Sequence, residues 1–138
     1  MSEAIEAQGT TFNIRNQAGS AWLEIGEVTN FGGPGGSAGV IDVSHLKSTR
    51  REKRMGLPDE GQETLNGNRV QSDVGQKEFL RARAARELKE FQVIYSDGSM
   101  DEFEGYCLQF SKSGAVDAVV TFSATIEITG EVTETEAP

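Results

Sequence analysis

Residues 116–129, VDAVVTFSATIEIT, show the clearest alternation of apolar and polar side chains in the chain. Successive side chains of a strand point to opposite faces of a sheet, so this pattern predicts a strand with one core face and one polar face. At about 3.3 Å per residue the strand spans about 43 Å, more than a usual strand. Such a strand either bends across a sandwich or reaches toward a neighbour. The predicted core residues are Val116, Ala118, Val120, Phe122, Ala124, Ile126 and Ile128.

Shorter alternating segments predict further strands that pair in an antiparallel way. The dipeptide Asp97-Gly98 is a strong hairpin signal between two of them. Residues 32–39, GGPGGSAG, break regular structure and predict a loop. The segments predicted as strands are 12–14, 22–31, 62–70, 91–95 and 103–110.

Residues 73–90 predict the helix of the fold, because they are rich in good helix formers. Phe79, Leu80, Ala84 and Leu88 share one side of that helix. The order is strands, one helix, then strands. The sequence therefore predicts a mainly β fold, an antiparallel β-sandwich or barrel flanked by one α-helix, with a long central arm.

The predicted arm is residues 40–61, VIDVSHLKSTRREKRMGLPDEG, which is too long for a structureless loop in a small domain. Residues 47–54, KSTRREKR, hold five basic residues and one acid, a local charge of +4. The whole chain carries −9, so the remainder carries −13. This charge separation suits a protein whose copies meet, with one basic arm on another acidic body. A solvated flexible loop is the alternative interpretation.

The length of 138 residues fits one domain, expected over residues 10–130, with disordered termini at 1–9 and 131–138. A net charge of −9 argues against a general nucleic-acid binder, because phosphate contacts need basic surface. Cys107 is the single cysteine, so no intrachain disulfide can form and a reducing compartment fits. Neither a signal peptide nor a membrane span is expected.

Candidate catalytic and metal-binding groups are few. His45 is the only histidine, and a catalytic role would need an orienting carboxylate and a nucleophile beside it. Zinc sites need three or four ligands, usually Cys and His, which this chain does not supply. The segment from Asp97 fails as a calcium loop, because Glu102 replaces the required Gly and Leu108 replaces the required Glu. The sequence predicts no catalytic residue, metal or cofactor, and therefore no enzyme.

The order of segments resembles the major tail tube proteins of long-tailed bacteriophages. The resemblance covers most of residues 22–130 and is carried by several motifs together. Its departure is the arm, which is more basic than is expected at that position. The motifs are 22–28 (WLEIGEV), 41–46 (IDVSHL), 56–61 (GLPDEG), 74–80 (VGQKEFL), Asp97-Gly98 and the closing strand 116–128.

This resemblance implies a structural subunit that forms hexameric rings, whose strands make a continuous barrel around a lumen. Rings are expected to stack into a tube of the virion tail, assembled in the cytoplasm of a bacterial host, and DNA is expected to pass without specific binding. Other expected partners are the tail initiator or baseplate, tape measure and terminator proteins. The arm is expected to order on assembly and to contact neighbouring subunits and rings. The residues expected at contacts between rings are His45, Lys47, Arg50, Arg51, Lys53, Arg54 and Leu57.

Other interpretations stay open from the sequence. A related component, such as a secretion-system tube ring or a tail terminator, would form stable isolated hexamers. A soluble β-domain that binds a ligand or protein would stay monomeric and show a ligand-dependent rise in melting temperature. An enzyme would need a second polar group converging on His45.

Overall fold

The computed structural model describes residues 7–136. These residues form a mainly β fold with one helix and an arm that leaves the body, which confirms the predicted fold class. The predicted disordered N-terminus, 1–9, lies largely outside the described residues. The elements are β1 Thr11–Arg15, β2 Trp22–Glu24, β3 Val28–Gly32, β4 Ser37–Asp42, β5 Lys53–Asp59, β6 Gln62–Asn68, α1 Val74–Ala85, β7 Leu88–Ile94, β8 Met100–Ser113 and β9 Thr121–Thr135.

Seven strands form one antiparallel sheet in the order β2-β1-β7-β8-β9-β6-β3, and β4 and β5 form a separate pair. The seven-stranded sheet curls on itself, because Phe12 of β1 contacts Phe31 of β3, with ring centroids 5.0 Å apart. These two strands lie near opposite edges of the sheet. The curled sheet encloses one apolar core. The contact between β1 and β3 closes one side of this sandwich or barrel.

The two longest strands, β8 and β9, connect the halves of this curled sheet. Strand β8 pairs with β7 over residues 100–106, whereas β9 pairs with β6 over residues 121–127. Register shifts interrupt the β8–β9 ladder between Glu102 and Glu104 and between Cys107 and Gln109. Such irregularities bend a strand and increase its local twist. The long closing strand thus bends across the fold.

The closing strand begins later than its sequence pattern predicts. Val116, Ala118 and Val120 were expected in the core, but they are exposed in the turn between β8 and β9. Here the Ala118 N–H bonds to the Ala115 carbonyl. The strand also ends later, because residues 133–135 pair with residues 100–102 of β8. The sequence predicted a disordered tail from residue 131. That prediction was wrong because the local composition of the tail does not show that residues 100–102 of β8 are available to pair with it.

Helix α1 begins where predicted but ends five residues before the predicted boundary at 90. Asp73 caps its N-terminus by accepting a hydrogen bond from the Gln76 N–H at 2.9 Å. Arg86 ends the helix in a left-handed conformation, with φ 58°. Leu88, expected on the apolar side of the helix, instead starts β7 and is 45% exposed. Pairing with β8 therefore overrides the helix propensity of this segment.

The core lies inside the curled sheet, and α1 closes it by packing on β8, β1 and β2. Cys107 is buried in this core, as its position on a strand suggested. The largest core side chains are Phe12, Ile14, Ile25, Leu65, Phe79, Phe91, Phe103, Phe122, Ile126 and Ile128.

Candidate functional site

The arm is a β-hairpin and not an irregular loop. Strands β4 and β5 pair from Ser37 opposite Asp59 to Asp42 opposite Lys53. At its base, Gly33 has φ +92°, and a Cβ there would lie 2.3 Å from the Gln62 carbonyl oxygen. The backbone at the arm base therefore passes so close to β6 that no residue larger than glycine fits at position 33.

The arm tip, residues 43–52, is held by polar contacts of its own. Arg51 Nη1 lies 3.0 Å from Asp42 Oδ2, and His45 Nε2 lies 3.2 Å from Glu52 Oε2. The Ser44 N–H donates to Asp42 Oδ1 at 2.9 Å, and this bond is the main reason that the pKa of Asp42 is lowered. The tip thus has a defined shape, and one of its basic side chains, that of Arg51, already has an ion-pair partner.

The structure brings all seven predicted contact residues onto this hairpin. His45 and Arg51 bond within the tip. Among the described residues, no ion pair involves the other four basic residues. These unpaired cations are Lys47, Arg50, Lys53 and Arg54. Leu57 is 93% exposed on β5.

The arm also carries an apolar face that the sequence prediction did not single out. Val40 of β4 lies opposite Met55 of β5, so both side chains share one face of the hairpin. Val40 is 68% and Met55 is 74% exposed. We call Val40 and Met55 the arm face. A register shift between Ala38 and Val40 separates Leu57 from this face. The two residues of the arm face are distant in sequence, so no local alternation signals it.

Two unpaired edges bound the region β3-β6-β9-β8 of the sheet in the part of the chain that the structure describes. Strand β3 ends the sheet and pairs only with β6. Residues 107–113 of β8 pair only with β9, because the β7 ladder stops at Tyr106. One side-chain bond reaches this second edge, from Arg83 Nε to the Leu108 carbonyl. The four-stranded region β3-β6-β9-β8 is therefore bounded by unpaired backbone on both sides, which favours pairing with another chain.

The outer surface of this four-stranded region is polar and almost uncharged. On β6 and β9 the opposite side chains, such as Leu65 and Phe122, are buried. Its only charged group on these two strands is Glu127, which accepts a hydrogen bond from Gln62 Nε2 at 2.7 Å. We call this surface the polar face. Its residues on β6 and β9 are Gln62, Thr64, Asn66, Asn68, Thr121, Ser123, Thr125 and Glu127.

A buried carboxyl group lies beneath the base of the arm. Glu63 is 1% exposed, and neither of its carboxyl oxygens has a hydrogen-bond partner. Burial, and then the charge of Asp101, raise the pKa of Glu63 to about 8. Asp101 in turn accepts a hydrogen bond of 2.6 Å from Tyr95 Oη. Glu63 is therefore protonated at neutral pH, which lowers the cost of its burial.

The described residues offer no arrangement suited to metal or nucleophilic chemistry. No group of three or more His, Cys, Asp or Glu side chains within residues 7–136 is placed to hold a metal ion. Burial raises the pKa of Cys107 to about 12, so its thiol stays protonated. No helix in the described part of the chain is long and apolar enough to cross a membrane.

Comparisons with known proteins match the fold and the sequence to tail tubes. The chain resembles the SPP1 tail tube subunit, with a TM-score of 0.74 and 14% identity over 98% of this chain and 81% of that one. It also resembles a tail subunit of a gene transfer agent particle with C6 symmetry, with a TM-score of 0.77 and 16% identity over 96% of this chain and 100% of that one. No curated protein is similar in sequence. The family model of the lambda phage tail tube protein, TTP, matches residues 5–135. The chain therefore belongs to the lambda phage tail tube protein family and is a structural subunit of a phage tail tube.

Proposed function

We propose that this chain forms hexameric rings that stack into a hollow tube of the virion tail, through which DNA passes. Membership of the tail tube family supports the tube. The observation that carries the ring is the pair of open edges on either side of the four-stranded region. In the ring, residues 108–113 of β8 pair with β3 of the next copy. This contact joins different surfaces of the two copies, so it closes into a ring when the rotation permits.

The polar face then lines the lumen. The body, with its core and helix, lies on the other side of the four-stranded region and is the bulkier part, so it takes the outside of a closed ring. The lumen is then lined by hydroxyl and amide groups, with the carboxylate of Glu127 in each copy. Cations would hold phosphates and slow the passage of DNA, and β6 and β9 place none on this face.

The arm provides contacts between rings. Four of its cations form no ion pair within the described residues and its apolar side chains are exposed, which supports a contact role for the predicted set from His45 to Leu57. The rest of the molecule is acidic and supplies a complementary surface. Further partners in this proposal are the tail initiator or baseplate, tape measure and terminator proteins, and assembly takes place in the bacterial host cytoplasm.

Two neighbouring proline substitutions test ring closure. Adjacent residues in a strand point their N–H groups to opposite edges, so Ser111→Pro and Lys112→Pro remove donors from different sides of β8. We expect one variant to lose pairing with β9 and become less stable. The other should keep the wild-type melting temperature and form no rings in negative-stain images. Wild-type ring formation by the stably folded variant would contradict this edge contact.

Charge reversal tests the arm. The double variant Arg50→Glu/Arg54→Glu should fold normally, because both side chains are exposed and neither forms an ion pair within the described residues, but it should lose tubes at ordinary salt. Tube yield is measured by sedimentation and electron microscopy. Lys77→Glu, on the exposed side of α1, is the control and should keep tube yield. An unchanged yield of the double variant would remove these residues from the contact between rings.

A further inference from the structure

The turn between β8 and β9 exposes a second set of apolar side chains. Val116 is 92%, Val119 is 65% and Val120 is 48% exposed. We call these three residues the apolar turn. Single exposed apolar residues are ordinary on protein surfaces, but grouped ones mark contact sites. The turn lies at the end of the polar face and contributes nothing to the core.

The apolar turn and the arm leave the body at opposite ends of one strand. Strand β6 begins with Gln62, beside the arm base and opposite Glu127 of β9. It ends with Asn68, opposite Thr121, where the turn joins β9. Strand β6 covers seven residues, so about 20 Å separates its ends at about 3.3 Å per residue. An arm and a turn placed in this way meet between two copies that are stacked head to tail.

The two surfaces are also complementary in composition. The arm face presents Val40 and Met55 and continues to Lys53 on the same side of β5. Asp117, within the turn, is exposed and has a φ of 65°. An apolar strip that ends in a cation thus matches an apolar turn that carries one carboxylate. Within the described residues neither Lys53 nor Asp117 has an ion-pair partner.

We propose that the arm face of one copy docks on the apolar turn of a copy in the adjacent ring. This inference rests on the proposed function, because it names the surface that receives the arm. The contact joins different surfaces at opposite ends of the subunit, so it repeats from ring to ring without closing, as a growing tube requires. Burial of the exposed valine and methionine side chains supplies its driving force.

Cysteine cross-linking tests the contact. Met55→Cys and Val116→Cys proteins are mixed, assembled into tubes and treated with a short bismaleimide. Cys107 does not interfere, because it is buried and its pKa is raised to about 12. We expect a cross-linked dimer in the tubes and none in dissociated subunits. Met55→Cys mixed with Lys77→Cys is the control and should give no dimer. Tubes that form without the 55–116 dimer would overturn the inference and leave the proposed function standing.

A polar substitution measures the contribution of the turn. Val116→Asp/Val119→Asp should keep the wild-type melting temperature and form rings, because both side chains are exposed and lie in the turn, outside the β8 segment that pairs in the proposed ring. We expect the protein concentration needed for tubes to rise about tenfold or more. Val74→Asp, at another exposed valine, is the control and should leave the protein concentration needed for tubes unchanged. Tube formation by the double variant at the wild-type concentration would overturn the contact alone. A wild-type protein that forms neither rings nor tubes would overturn the proposed function as well.

Discussion

Glu63 combines deep burial with unsatisfied carboxyl oxygens, and its position explains why it stays protonated. A Cβ on Gly33 would lie 3.1 Å from its Oε2, so the arm base lies directly against it. The groups that face it from other strands are acidic or neutral, Asp101 of β8 and Tyr95 after β7. Burial raises the pKa of Tyr95 too. No charge in this cluster favours a carboxylate at Glu63.

This position gives the fold a stability that depends on pH. The pKa of Glu63 is about 8 in the folded chain and 4.5 ordinarily, so the folded state holds this proton more tightly. The stabilisation is fully present below pH 4.5 and is lost as the pH rises through 8. Between these values the free energy of unfolding falls by about 1.4 kcal/mol for each pH unit through this group.

Glu63→Gln removes this titration while keeping the size of the side chain. We expect the variant to lose that part of the pH dependence and to melt at a higher temperature than wild type at pH 8. Thermal unfolding from pH 5 to pH 9 measures the effect. Glu131→Gln, at an exposed position, is the control and should follow the wild-type curve. Parallel curves for Glu63→Gln and wild type would show that Glu63 does not titrate in this range.

The alternation within the predicted strand 62–70 puts Glu63, Leu65 and Gly67 on one face, and the structure buries all three residues. It did not show that this face was the core, because a carboxylate and a glycine make it poorly apolar. The burial depends on β3 and the arm base covering β6, and those contacts connect residues distant in sequence.

A buried ion-pair network fixes the junction between α1 and β7. Lys89 Nζ lies 2.9 Å from Glu78 Oε2 and donates to the Asn16 carbonyl at 3.0 Å. Arg81 bonds both Glu78 and Glu87, and its hydrogen bond is the main cause of the lowered pKa of Glu78. Lys89 is 5% exposed and Glu78 is 8% exposed. The network therefore holds the helix end against the strand that follows it.

Removing one member of this network should be costly. Glu78→Gln leaves the buried ammonium of Lys89 without its carboxylate, and we expect a loss of about 3 kcal/mol in unfolding free energy. Urea unfolding at pH 7 measures it. Glu90→Gln breaks the exposed pair with Arg15, for which we expect a loss below about 1 kcal/mol. Equal losses for the two variants would mean that burial does not strengthen the network.

The helix and the strands were predictable where the local sequence pattern agrees with the strand pairing of the fold. The turn at Asp97-Gly98, strand β6 and the start of α1 follow their sequence signals. The end of α1 does not, because helix formers continue to residue 90 while β8 recruits that segment as a strand. The arm was recognised as extended, but its hairpin was not, because Gly39 and Gly56 interrupt the apolar alternation.

The whole molecule presents different chemistry in different directions. Two open edges flank a neutral polar face, the basic arm leaves one end of that face, and the apolar turn leaves the other. The charge separation and the assembly role were predictable from the sequence and its resemblance. The edges were not, because they depend on the strand order, which the sequence left open. The predicted core residues Val116, Ala118 and Val120 are exposed because the β8–β9 ladder ends at Ser113 and Thr121 and leaves them in the turn.

Helical reconstruction by electron cryomicroscopy of tubes grown from the purified wild-type protein would show which surfaces meet. We expect rings with the C6 symmetry of the gene transfer agent tail, in which residues 108–113 of β8 pair with β3 of the next copy and the polar face lines the lumen. A tube in which both edges stay unpaired, or in which the polar face lies outside, would contradict the proposed ring.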